Sequence, residues 1–324
     1  MKLSSLSSIV ILSLSSLGST TVTGFSAPDT KRVLVTGAAG QTGQHIFRKL
    51  LSKPGYTPIG TVRSEESRQA LLSGSATAIT TNADTTDVVI PPESVVVCDI
   101  TSNDSSTTTL LTDLLSTCDA LMICTSAKPA PTGEVNAETQ RPIFGFPLGQ
   151  PELVDWIGQK RLIDAAAAAD KQVHVVLCGS MGGTNPNNSL NNLGKITQSD
   201  GTTTGGDILK WKRKSEVYLQ QQPQSSSGVL YTIVHPGGLL NEPGNERELC
   251  VGVDDKIIGT KNNSVPREDV ANVMIAALEH ESYIGRSFDL VSKPVGEGVR
   301  TKDYGRLLDC LEGRNCDYSL GETA

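Results

Sequence analysis

Two stretches carry residue types and spacings on which chemistry can be built. The first is "VLVTGAAGQTGQHIF". Gly37, Gly40 and Gly43 recur there every third residue, directly after a β-branched run and directly before a helical one. Glycine at 37 permits a tight turn, glycine at 40 lets the backbone approach a pyrophosphate, and glycine at 43 lets the helix pack on the strand. The N-terminus of the helix that follows then presents unpaired N–H groups to phosphate, with Gln41 and Thr42 among the expected cofactor contacts. In this strand–loop–helix context the spacing predicts dinucleotide binding. The second stretch is "GGDILKWKRKSE" (205–216), which gathers Lys210, Lys212, Arg213 and Lys214 around Trp211 in a chain of formal net charge −7. Such a run is either a solvated helix face or part of a site.

The next strand ends in "TVRS". An acidic residue there would bind the ribose 2′-hydroxyl of NAD. Arg63 instead suits a 2′-phosphate, through charge-assisted hydrogen bonds and stacking on adenine. Glu65 and Glu66 come only past the strand end, so NADP(H) is expected over NAD(H). Asp99 and Ile100 close the third strand, where a carboxylate meets the adenine amino group or, equally, caps a helix or turn.

These residues need a scaffold that aims them at one place. From Lys31 onward short apolar runs alternate with helical ones: "RVLVTG", "QHIFRKLL", "TPIGTVRS", "SVVVCDI", "DALMICTSA", "WIGQKRLIDAAAAA", "QVHVVLCGSMGG", "LKWKRKSEVYLQQ", "YTIVHPGG", "REDVANVMIAALEH", "SFDLVSK" and a last helix in "KDYGRLLDCLEG". Strand–helix alternation means an α/β chain, a doubly wound and mostly parallel sheet covered by helices on both faces. Two long Pro- and Gly-rich segments, 126–153 and 184–207, follow strand C-termini, where open parallel sheets bind ligands. With 239–266 they form the expected substrate side, a small C-terminal lobe on a single domain over 31–324. "SATAITTNADTTD" and "TSNDSSTTTLL" read as surface insertions.

Composition excludes other classes. The 324 residues, 37% hydrophobic, suffice for one large domain with a full core. No long basic stripe offsets the acidic balance, which argues against nucleic acid. The seven cysteines form no CxxC and no metal-ligand spacing, so reduced thiols and no metal are expected, with Cys310 and Cys316 the pair to watch for redox chemistry. Residues 1–30 are set apart as a leader. "MKLSSLSSIVILSLSSLGSTTVTG" is signal-peptide-like and too short for a membrane span, leaving no span in the mature chain. "FSAP" follows, resembling bipartite plastid-targeting leaders; plastid import is expected, with ordinary secretion the alternative.

From Arg32 to Leu308 the chain resembles the atypical short-chain dehydrogenase/reductases of the NmrA-like kind. The stretches that carry this include "VLVTGAAGQTGQ", "GTVRS", "CDI", "ALMICTSA", "VDWIGQKRLIDAA", "WKRKSEVYL", "YTIVHPGGLL", "VPREDVA" and "FDLVSKP". The resemblance implies a Rossmann fold and NADP contacts from Thr42, Arg63, Asp99, Thr125, Ser126 and Ala127. It also implies that Pro236, Gly237 and Gly238 lie against the nicotinamide.

Catalytic members of that superfamily carry a tyrosine four residues before a lysine on one helix. The lysine holds the ribose and lowers the tyrosine pKa, while a serine orients the carbonyl. Here the serine match is Ser180 and the lysine match Lys212, but Ile208 stands where the tyrosine would be; Tyr218 lies nearly two turns beyond Lys212. Three readings follow. One is a reductase of a small electrophile (a quinone, flavin or carbonyl) that needs no protein acid. Another uses His235 as proton donor, against a structural role for it. The third is a protein that senses the NADP(H) ratio and passes it to a partner. Trp156 and Lys160 are candidates to line the pocket, Asp155 reads as a helix N-cap, and Arg267 and Asp269 as a helix start.

Overall fold

The computed structural model describes residues 30–79, 88–135, 140–197, 200–224 and 228–321; the leader and most of "SATAITTNADTTD" lie outside them. The chain begins with β1 (Lys31–Thr36), α1 (Gln41–Ser52), β2 (Tyr56–Val62), α2 (Glu65–Leu72), β3 (Val95–Val97), α3 (Ser105–Ser116) and β4 (Ala120–Ile123). A two-stranded ribbon, β5 (Ala130–Val135) and β6 (Pro142–Gly145), leads through a π-helical turn, Glu152–Gly158, into α4 (Gln159–Ala167) and β7 (Val173–Cys178). A second small ribbon, β8 (Ile196–Thr197) and β9 (Thr203–Thr204), precedes α5 (Ile208–Gln220) and β10 (Val229–Pro236). Then come β11 (Gly238–Leu240), β12 (Leu249–Val253), β13 (Lys256–Ile257), β14 (Ser264–Pro266), α6 (Arg267–Ala276) and β15 (Arg286–Ser292).

Nine strands form the central sheet in the order β13-β12-β15-β10-β7-β4-β1-β2-β3, parallel except for β12 and β13. The chain winds outward from β1 through β2 and β3, then crosses to β4 on the other side of β1, which opens a crevice at the carboxyl ends of β1 and β4. Strand alternation divides the core. Val33 and Val35 face Ile46, Phe47 and Leu50 of α1 and Val273 and Met274 of α6, whereas Leu34 faces Leu111, Leu115 and Leu162 of α3 and α4.

Four local expectations differ from the fold. "TSNDSSTTTLL" is not an insertion: Asp104 accepts the Ser106 N–H, and α3 buries Thr107, Leu111 and Leu115. "KDYGRLLDCLEG" makes turns and a 3-10 turn at Asp309–Leu311 rather than a helix. Its glycines, Gly305 and Gly313, bracket too few residues for a stable helix. Segment 241–256 supplies β12, which joins the edge of the central sheet against β15 instead of the substrate side. From the rest of 239–266, β11 pairs with β14, and Leu239 lines the crevice. Asp155 is not an N-cap, because it lies inside the π-helical turn that Pro151 opens.

Candidate functional site

The crevice at the strand ends holds two adjoining cavities that share Gly40, Thr77, Cys124, Ser126, Ala127 and Lys128 in their walls. The first, about 270 Å³, runs from Gly37 and Gly40 past Arg63 and Asp99 to Leu148 and Val154. The second, about 340 Å³, runs from Gln41 and Thr42 to Ser180, Ile208, Lys212, Pro236, Gly237 and Arg267. The glycine loop is their common floor. Gly37 adopts φ +66°, a left-handed turn that returns the chain so that Gly40 N–H donates to Gly37 O at 2.8 Å. A Cβ on Gly43 would stand 2.2 Å from Gly37 O, so only glycine lets α1 start this close to β1. No side chain caps α1, and its first N–H groups open into the second cavity beside Gln41 and Thr42. An elongated, two-lobed cleft with donors and a glycine cradle at its waist fits a dinucleotide.

In the first lobe, Arg63 is exposed and reaches across the mouth, its Nη1 donating to Leu148 O at 2.9 Å. Glu65 is taken up by Arg68 and Gln69 on α2. Asp99 lines the lobe and also caps a turn, accepting Thr101 N–H and Oγ–H at 2.9 and 2.6 Å; Ile100 is buried against Gly158. Thr125, Ser126 and Ala127 follow β4 along the wall. Gln159 pins this turn by donating to Thr125 O at 2.9 Å, and Asp155 accepts the Ala127 N–H at 2.9 Å.

Asp155 also lies behind the second lobe, paired with its lining residue Lys212. Its Oδ1 lies 2.9 Å from Lys212 Nζ, both side chains buried. Burial opposes the lysine's charge, yet the Asp155 carboxylate outweighs it and holds the ammonium above its ordinary range. Lys212 is aimed inward because Asn191 of the 184–207 segment accepts the Leu209 N–H at 2.9 Å, fixing where α5 begins. Ile208 and Ser180 line the same lobe, Ser180 donating to Met181 O at 3.0 Å. Arg267, at the start of α6, faces the lobe as well. Its Nε donates to Asn241 Oδ1 at 2.8 Å, which also accepts from Gln41 Nε2 at 3.0 Å. Gly238 lies outside the lining.

Several side chains sit elsewhere than expected. His235 is buried behind Gly179, between Glu216, Asp289, Cys316 and Tyr318, and is absent from the cleft wall. Trp156 meets Tyr218 edge-on at 5.6 Å and Lys160 pairs with Asp164, both on the outer side of the helices. Tyr218 bonds Asp164, remote from the cleft. Arg213 is no solvated charge: it is buried, stacked 4.5 Å over Tyr318 and bonded to Asp317 O. The residue patterns single out neither Lys128 in the cleft wall nor Gln159 behind it, and they give Asp155 and Arg267 only as a helix cap and a helix start. The one legible signal was the i, i+4 spacing of Asp155 and Gln159, which puts both on one helix face.

The profile of a family described as NAD(P)H-binding matches residues 37–281, and the chain belongs to that family. It is 38% identical to an uncharacterised chloroplastic protein of Arabidopsis thaliana, over 90% of this chain and 78% of the relative. It is likewise 38% identical to sanguinarine reductase of Eschscholzia californica, over 85% and 94%. A solved structure of an epimerase/dehydratase-type protein from Bacillus halodurans superposes with a TM-score of 0.53 at 20% identity, covering 86% of this chain and 99% of that one, which is likeness of fold.

Proposed function

We propose that this member of the NAD(P)H-binding family is an NADPH-dependent reductase of a small electrophile, a quinone, flavin or carbonyl, working without a protein proton donor. The observation that carries the reading is the composition of the second lobe. It retains Lys212 and Ser180, but Ile208 stands where a tyrosine would be, and among its described lining residues there is no histidine, tyrosine or carboxylic acid. Bound NADPH supplies hydride. The Gly37–Gly43 loop and the start of α1 hold its diphosphate, assisted by Arg267; Arg63 holds the 2′-phosphate; Asp99, Ile100 and Thr125–Ala127 line the adenosine side. Lys212, kept charged and fixed by Asp155, holds the ribose hydroxyls. Pro236 and Gly237 pack beside the ring, and Ser180 orients the acceptor. Ile208 and Leu239 exclude water from one wall, and the product's proton comes from solvent. The name of the Eschscholzia relative supports a reductase. The chloroplastic Arabidopsis relative supports a plastid location; among the described residues no helix is long and apolar enough to cross a membrane.

The test is NADPH oxidation by the mature chain against a panel of quinones, flavins and aldehydes. Turnover that is lost on Lys212→Ala is expected. Tight NADPH binding with no turnover on any acceptor, together with a protein partner captured in only one redox state of the nucleotide, would replace the reductase with a redox sensor.

A further inference from the structure

Behind the cleft, three side chains far apart in sequence converge. His235 ends β10, Asp289 lies in β15, and Cys316 lies on the C-terminal tail. His235 Nδ1 is 3.4 Å from Asp289 Oδ1 and 3.5 Å from Cys316 Sγ, and Cys316 Sγ is 3.9 Å from Asp289 Oδ1. All three residues are buried, at 3%, 2% and 8% exposure. We propose that these three atoms form a site for a zinc-class divalent cation, independent of the nucleotide cleft.

The triangle has the dimensions of a metal face. A point equidistant from its corners lies about 2.1 Å from each, and shifting it about 0.2 Å in the plane away from sulfur lengthens the sulfur distance to the zinc–thiolate value of about 2.3 Å while nitrogen and oxygen stay near 2.0 Å. No side chain has to move. One sulfur, one imidazole nitrogen and one carboxylate oxygen suit a borderline-soft ion rather than magnesium or calcium, which take oxygen donors. Three protein donors leave the fourth tetrahedral position to water.

The surroundings hold each donor in place. His235 Nε2 lies 3.1 Å from Glu216 Oε2, so the ring presents Nδ1 to the triangle while its other nitrogen donates to a carboxylate, the arrangement that fixes metal-bound histidines. Asp289 Oδ2 accepts Asp255 N–H at 2.7 Å, leaving Oδ1 to the triangle. Cys316 is set by its own N–H, which donates to Ser287 O and Oγ, both at 3.1 Å. Charge balances too, because the Cys316 thiolate and the Asp289 carboxylate neutralise a dication. On binding, the thiol proton and any Nδ1 proton pass to solvent.

The cation would tie β10 and β15 to the tail. The tail in turn braces the wall of the second lobe, because Gly321 lies against the carbonyl of Gly183, and Gly179 rests on the His235 ring. The cation is therefore a brace for the substrate-side loop.

The experiment uses the full mature chain. Metal content is measured on the purified protein, which is then stripped with chelator and titrated with cobalt(II). One equivalent of cobalt with a near-ultraviolet thiolate-to-cobalt band is expected. Zinc should bleach the band, Cys316→Ser should abolish it, Asp289→Asn should weaken it and Cys310→Ser should leave it intact. Zinc should also protect the tail from proteolysis in the stripped wild type. Wild-type protein that takes up no cobalt overturns the proposal and leaves a protonated His235 bridging Glu216 and Asp289; a band undiminished in Cys316→Ser overturns it as well. The wild-type titration decides even if the variants do not fold.

Discussion

Asp155→Asn is the substitution that tests most directly how the cleft is held. The change keeps size and lets the amide oxygen take the place of Asp155 Oδ2, which accepts the Ala127 N–H, but it removes the charge 2.9 Å from Lys212. Lys212 is then a buried ammonium without its carboxylate. Removing one partner of a buried pair costs about 3–5 kcal/mol, far more than an exposed pair would. For a domain of this size that is a fall in melting temperature of roughly 5–8 °C. Burial then prevails over Lys212, its pKa drops below the ordinary lysine range, and NADPH affinity falls with the lost charge. The second arm is the double variant Asp155→Asn, Lys212→Met. With both charges gone, most of the lost stability should return, to within about 1 kcal/mol of wild type, because replacing a whole buried pair by apolar volume is often neutral. Nucleotide affinity should not return. Thermal or urea unfolding and calorimetric NADPH titration read the two quantities separately. A double variant no more stable than Asp155→Asn would refute the reasoning, since the cost would then not come from the orphaned lysine.

Three further outcomes follow from the same geometry. Arg63→Ala should weaken NADPH binding by about 10–100-fold, the roughly 1.5–3 kcal/mol of a hydrogen bond to a charged group, with little effect on NADH; equal losses for both nucleotides in calorimetry would remove Arg63 from the 2′-phosphate. Gly43→Ala would place a Cβ 2.2 Å from a backbone oxygen, so despite alanine's better helix propensity it should cost about 1–3 kcal/mol and at least tenfold in nucleotide affinity; wild-type Tm and affinity would contradict this. Burial lowers His45 to about 4 from 6.5, so its contribution to stability is complete above pH 6.5 and is lost as pH falls from there to 4. Burial raises Asp269 to about 6 from 3.8, so its contribution has the opposite sign and is lost as pH rises through 4 to 6. Tm recorded between pH 4 and 7 should therefore become more acid-sensitive in Asp269→Asn and less so in His45→Gln; parallel profiles for wild type and both variants would contradict the assignment.

The sequence alone determined what is local. A strand, a glycine turn and a helix start are consecutive residues whose backbone conformations follow from Gly37, Gly40 and Gly43, so the strand–turn–helix and the strand–helix alternation were legible without knowing what packs against them. Arg63 at a strand end and Ile208 four residues before Lys212 were legible for the same reason, being fixed offsets within one element. What the tertiary structure decided is which side chains meet. Asp155 and Lys212 face each other only because the π-helical turn before α4 lies against α5, and Arg267 reaches the cleft only because α6 packs beside α1. The same crossings buried Arg213 under the tail and turned His235 away from the cleft. His235, Asp289 and Cys316 have no metal-like spacing along the chain. Strand order, which depends on burying both faces of a nine-stranded sheet at once, brings β10 and β15 side by side and lays the tail across them.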